Sequence, residues 1–149
     1  MIRQYQAADC EAILRVWSLA TAVAHPFLDK DFLQQEYQNI PALYLPVADT
    51  WVWQTEQAVV GFMSLLGNEI GAIFIDPACH RQGIGRALIT FAQQLHTALE
   101  VEVFEQNLQG RKFYAQMGFK LLQQKIHDQT GYGVLRLRLS QCPATVFNL

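Results

Sequence analysis

A mixed α+β fold, a largely antiparallel sheet with helices on both faces, is predicted by three observations. Stretches that alternate with a period of two are interleaved with stretches whose apolar residues recur at helical spacing. Helices lying between strands imply some parallel pairing, and short turns elsewhere imply antiparallel hairpins. The composition, 51% hydrophobic and 16% charged, suits a globular chain with a sizeable core and a single domain over residues 1–149.

The elements follow in order. Arg3-Gln4-Tyr5 reads as a short edge strand. Asp9 is an expected N-cap, and Ile13, Val16, Trp17 and Ala20 recur at helical spacing, giving a helix over about 9–21. Pro26 disfavours helix at His25 and breaks the chain there. A second amphipathic helix spans about 30–39, with Phe32, Leu33, Tyr37 and Ile40 on one side. Pro41 and Pro46 mark a loop. Trp51–Thr55, Val59–Leu66 and Ile70–Ile75 read as strands joined by turns at Gln57-Ala58 and Gly67-Asn68. A helix over about 84–97 carries Ile84, Leu88, Phe91 and Leu95 on one stripe. From Leu99 to Phe104 the chain alternates strictly, with Glu100 and Glu102 opposite Val101 and Val103. A helix over about 108–117 ends at Gly118, and Phe119–Ile126 with Val134–Leu139 closes the fold as a hairpin.

Charge and cysteine content exclude several function classes. The net charge is −2 and no long basic run is present, so nucleic acid is not an expected partner. Cys10, Cys79 and Cys142 are widely spaced, with no metal-ligand pattern, so no metal is expected. No leader pattern or membrane-length apolar stretch is seen, which implies a cytoplasmic protein with reduced thiols and no membrane partner.

The segment Ile73 to Leu88 has the order of an anion site: an apolar strand, a Pro-broken turn, a basic Gly-containing loop, then a helix. First-turn helix amides lack intrahelical partners, and the helix dipole favours an anion there. Gly83 and Gly85 allow a phosphate close to the backbone, and Arg81 and Arg86 add charge. A bare G-x-G arises about 0.7 times by chance in a chain of this length, so the surrounding order carries the signal. Gly85 is not followed by the Lys-Ser/Thr of a Walker phosphate loop.

His80-x-x-Gly83-x-Gly85 resembles the acyl-CoA signature of the GCN5-related N-acetyltransferases (GNAT superfamily), normally Gln or Arg, two residues, Gly, one residue, then Gly or Ala. Asn107-x-x-Gly110-x-x-Phe113-Tyr114-x-x-x-Gly118-Phe119 resembles the second signature of that family. The element order matches over nearly the whole chain. His80 replaces the usual Gln or Arg, and Gly110 the usual Ala.

The resemblance implies a GNAT fold with a splayed parallel strand pair and acetyl-CoA as co-substrate, bound between the Ile70–Ile75 and Leu99–Phe104 strands. Backbone near Phe74 and Ile75 would pair with pantetheine. Amides of Arg81, Gln82, Gly83, Ile84, Gly85 and Arg86 would hold the pyrophosphate. Tyr114 matches the general acid that protonates the departing thiolate, and also contacts the cofactor. Its reference pKa of about 10, against about 8.5 for a thiol, allows that step. Asn107 hydrogen-bonds the cofactor, caps its helix, or does both. Glu102 is the expected base, with Glu105 or a water chain as alternatives. The amine acceptor falls to the N-terminal half, with His25 and Phe27 as its expected contacts; His25 is otherwise a turn residue. The implied activity is N-acetyl transfer to a primary amine (peptide or protein N-terminus, lysine, or small molecule) by direct attack in a ternary complex. The alternative is a non-catalytic acyl-CoA-binding regulatory module. The tail from Pro143 to Leu149 either packs on the domain or meets a second subunit, so monomer and homodimer both remain open.

Overall fold

The computed structural model describes residues 1–140; the tail and Cys142 lie outside the described residues. Among the described residues, seven strands form one sheet: β1 (Ile2–Gln4), β2 (Asp49–Gln54), β3 (Val59–Leu66), β4 (Glu69–Ile75), β5 (Ala98–Phe104), β6 (Lys120–Ile126) and β7 (Gly133–Ser140). Four α-helices accompany them: α1 (Cys10–Ala24), α2 (Lys30–Asn39), α3 (Ile84–Leu95) and α4 (Leu108–Met117). The sheet order is β1-β2-β3-β4-β5-β7-β6. Neighbours pair antiparallel except β4 with β5, which α3 connects as a parallel crossover.

The β4–β5 pair is the unusual part. Its register is confined to Glu69 opposite Glu100 and Ile70 opposite Val101. Beyond that point β4 stays paired with β3 through Ile75, and β5 stays paired with β7 through Phe104, but the two no longer pair with each other. The cause lies at Gly71. The β3–β4 register jumps from Ser64 opposite Ala72 to Leu65 opposite Ile70, leaving Gly71 as an extra residue. Such a bulge bends and twists its strand, and glycine commonly marks one. Here it turns β4 away from β5 directly after Ile70.

Each sheet face carries its own core. Ile84, Leu88, Ile89 and Ala92 of α3 pack with Met63, Leu65, Leu99 and Val101, and α4 adds Tyr114. On the other face Ile13 and Val16 of α1 pack with Val52 and Phe62. Each fully buried Leu or Ile contributes about 1.5–3 kcal/mol relative to exposure, so these stripes fix where α1 and α3 sit. The two faces are therefore covered by different parts of the chain, as the α+β reading requires.

Three local details differ from the sequence reading. The first helix runs on to Ala24, because Pro26 restricts only the residue before it, and His25 leaves the helix at φ −128°. Asp9 does not cap α1; its carboxylate accepts from Arg3 at 2.8 and 2.9 Å and from the Gln6 amide at 2.8 Å. The Pro41 loop opens with a π-helical turn, Ile40–Tyr44.

Candidate active site

The two diverging strands open onto a cavity of about 730 Å³. Phe74, Glu102, Asn107, Tyr114 and His25 all line it. Phe27 stands behind this wall, edge-on to His25 at 5.9 Å and to Phe104 at 5.6 Å. His25 bridges the gap between the strands, with ring centroids 6.3 Å from Phe74 on β4 and 5.3 Å from Phe104 on β5.

The loop before α3, expected from its composition to bind an anion, has an unusual backbone. Arg81 and Gly83 both adopt left-handed backbone, φ 65° and 82°. Left-handed residues in such a loop turn successive amides to one side, as anion-binding nests do. The Asp29 and Asn107 side chains cap α2 and α4, but no side chain caps α3 among the described residues. The first bond onto its N-terminus is Ala87 N–H to the Gly83 carbonyl, which leaves the amides of Ile84, Gly85 and Arg86 for an anion. A Cβ on Gly85 would lie 3.1 Å from the Phe113 ring and 3.6 Å from Ile75 Cδ1. This glycine therefore lets α3, α4 and the end of β4, with Ile75, converge. His80, in place of Arg or Gln, donates from Nε2 to the Ile75 carbonyl at 3.0 Å and ties the loop to β4.

Tyr114 is 7% exposed, and Phe113 and Phe119 stand edge-on to its ring. Burial pushes its phenol well above the usual value, so it stays protonated. Its hydroxyl has no hydrogen-bond partner among the described residues.

Asn107 does two jobs. Its Oδ1 accepts from Gly110 N–H at 2.9 Å, which caps α4. That bond turns Nδ2 toward His25 Nε2, 3.4 Å away. Nε2 must therefore accept, and Nδ1–H donates to Thr21 Oγ1 at 2.7 Å. A Cβ on Gly110 would lie 2.5 Å from Asn107 Nδ2, so an Ala here would shift that amide.

Burial pulls the His25 imidazole down from 6.5 to about 4, so the ring is neutral near pH 7 and a weak base. The unfolded chain takes up a proton near 6.5 that the folded chain refuses until about 4, so stability should drop as pH falls through that window. Replacing His25 by Gln should flatten that dependence in urea unfolding; an unchanged slope would place the acid sensitivity elsewhere.

Glu102 is held between two cations. Oε2 lies 2.6 Å from Lys125 Nζ and 3.0 Å from Arg136 Nη1. Burial raises its carboxyl, but hydrogen bonds from Lys125 and Arg136 outweigh that, and the net shift is downward. Glu105, the other carboxylate weighed as base, instead lies beside Gly133, where a Cβ would come 2.5 Å from its Cδ. Tyr44 also lines the cavity, whereas Trp51 packs on Phe91 of α3 at 4.6 Å.

Arg136 has no counterpart in the sequence reading. Its Nε lies 2.7 Å from Glu100, Nη1 3.0 Å from Glu102 and Nη2 3.4 Å from Glu69. Arg138 adds a second contact to Glu100 at 2.7 Å. Glu69 and Glu100 face each other across the first paired step of β4 and β5. Like charges directly opposite destabilise a strand pair, and the guanidinium between them reverses that. Arg136 thus stitches the strands at the closed end of the splay.

An acetyltransferase is the class that this fold defines, and comparison with known proteins places the chain within it. Residues 46–121 match the family described as an acetyltransferase (GNAT) domain. The chain is 34% identical over 131 residues to peptidyl-lysine N-acetyltransferase YiaC of Escherichia coli K12, spanning 87% of this chain and 90% of the relative. It is 36% identical over 139 residues to peptidyl-lysine N-acetyltransferase YjaB of Salmonella typhimurium, spanning 91% and 95%. The solution structure of apo YjaB from Escherichia coli superposes with a TM-score of 0.84 at 31% identity, covering 93% of this chain and 95% of that one. The chain belongs to the GNAT family and is an N-acetyltransferase. Among the described residues no helix is long and apolar enough to cross a membrane.

Proposed function

We propose that the protein transfers the acetyl group of acetyl-CoA to a lysine side chain, with the amine attacking the thioester directly in a ternary complex. The observation that carries this reading is the Tyr114 hydroxyl: protonated and without a protein partner among the described residues, on a largely buried residue that lines the cavity where β4 and β5 part. A hydroxyl that faces a cavity with no protein partner is available to donate to a ligand. The named activity of the two relatives supports lysine as the acceptor.

In this reading the free backbone near Phe74 and Ile75 pairs with pantetheine, and the loop amides from Arg81 to Arg86 hold the pyrophosphate. The amine loses a proton to Glu102, which already binds an ammonium in the cavity. The C–S bond breaks as the C–N bond forms, and Tyr114 protonates the thiolate. His25 and Phe27 wall the acceptor side, and His25, a weak base, holds Asn107.

Thiol release from acetyl-CoA tests this. Blocked peptides containing lysine should support release. Release only with free α-amines would overturn the lysine acceptor. No release with any amine, despite calorimetric acetyl-CoA binding, would favour the non-catalytic binding module.

A further inference from the structure

We infer that Lys125 is itself an acetyl acceptor, modified on Nζ within the same cavity that serves the external amine. This rests on the reading of the cavity as an acetyl-transfer site.

The chain has four lysines: Lys30, Lys112, Lys120 and Lys125. Only Lys125 lines the cavity that Tyr114, Asn107 and Glu102 share. Its side chain keeps 43% of its exposure, so it is held by an ion pair and not by packing. Nζ sits 2.6 Å from Glu102 Oε2, hydrogen-bonded to the carboxylate assigned as proton acceptor. A lysine bound as substrate needs the same arrangement: a primary amine on a flexible four-carbon stem, in the cavity, with its proton directed at Glu102. Lys125 supplies it from β6, so no acceptor has to be recruited from solution.

The step balances with acetyl-CoA alone. The Lys125 ammonium gives one proton to Glu102, and the freed amine attacks the thioester carbonyl. The N–C bond forms, the C–S bond breaks, the nitrogen releases its second proton to solvent, and the thiolate takes the Tyr114 proton; one proton returns from solvent to Tyr114 and the one on Glu102 leaves, so one proton is released in all. The products are Nε-acetyl-Lys125 and CoA thiol.

Two properties follow. The reference carboxylate is about six pH units less basic than the reference amine, so the neutral amine is scarce and the reaction is slow and faster in alkali. It is also limited to one acetyl per chain. The product is neutral, which breaks the ion pair and leaves Glu102 with Arg136 as its one remaining cation from this network.

The test is incubation of the intact protein with acetyl-CoA and no added amine, followed by peptide mass spectrometry. In parallel, a blocked lysine peptide is offered to the same protein. The expected result is one acetyl group, concentrated on Lys125 over Lys30, Lys112 and Lys120, at a rate independent of protein concentration. Modification should be strongly reduced in Tyr114→Phe and absent from position 125 in Lys125→Arg. An acetylated peptide with unmodified Lys125 would overturn the inference and leave the function standing. Equal acetylation of all four lysines, or equal rates in wild type and Tyr114→Phe, would assign the modification to uncatalysed chemistry and overturn it. A rate that rises with protein concentration would overturn the intramolecular step. Failure of peptide and Lys125 alike would remove both readings together.

Discussion

Tyr114→Phe is expected to lower kcat about 100-fold or more and to leave acetyl-CoA affinity nearly unchanged. General acids typically contribute about 10²–10⁴-fold, and the substitution removes only the proton that the leaving thiolate takes. The fold should tolerate it, because the hydroxyl has no protein partner to abandon and the ring contacts with Phe113 and Phe119 persist. Burial holds the phenol above its ordinary value, so the wild-type pH–rate profile should show no alkaline loss from Tyr114 below about pH 10. Steady-state kinetics with calorimetry separates the outcomes. Weaker binding with unchanged kcat would remove the acid role and leave Tyr114 as a cofactor contact.

The second large effect is expected at Arg136. Arg136→Met should lower stability by about 1–3 kcal/mol, because charge-assisted bonds to three carboxylates are lost and those carboxylates then repel one another. The figure stays below the 3–5 kcal/mol of a broken fully buried pair, roughly, because the guanidinium is still 23% exposed. The loss should depend on pH in a definite sense. Hydrogen bonds from Arg136 hold Glu100 below its ordinary value, and Glu102 is net lowered despite its burial. Their contribution is present above the ordinary carboxylate value, about 4.3, and disappears as pH falls through the lowered folded values. Wild type and variant should therefore converge in acid. Equal urea midpoints at pH 7 would mean that the β4–β5 junction does not depend on the guanidinium.

Local chemistry was largely legible in the sequence. The stripe of Ile84 and Leu88, the alternation from Leu99 to Phe104 and the cap at Gly118 each depend on residues within a few positions, and each lands in its element. The turn into α3 was legible for the same reason: its glycines and the following helix are contiguous. What escaped are contacts between distant segments. His25 and Asn107 are 82 positions apart, and Arg136 reaches Glu69 across 67. Asp9 was misassigned because a local cap and a partner from another segment compete for one carboxylate, and Arg3 wins it with two bonds. Gly71 looked like an ordinary strand residue, since a bulge is a mismatch between two strands and is invisible in either one.

That bulge has a thermodynamic consequence. Sheets normally confine unpaired edges to their borders. By turning β4 aside after Ile70, Gly71 creates two facing edges in the middle of the sheet. A ligand laid between them acts as the missing strand, and the empty protein is an incomplete sheet. Amide hydrogen exchange reads this directly. Amides of β4 past Gly71 that the β3 ladder does not protect should slow when acetyl-CoA enters, and the unfolding temperature should rise with them.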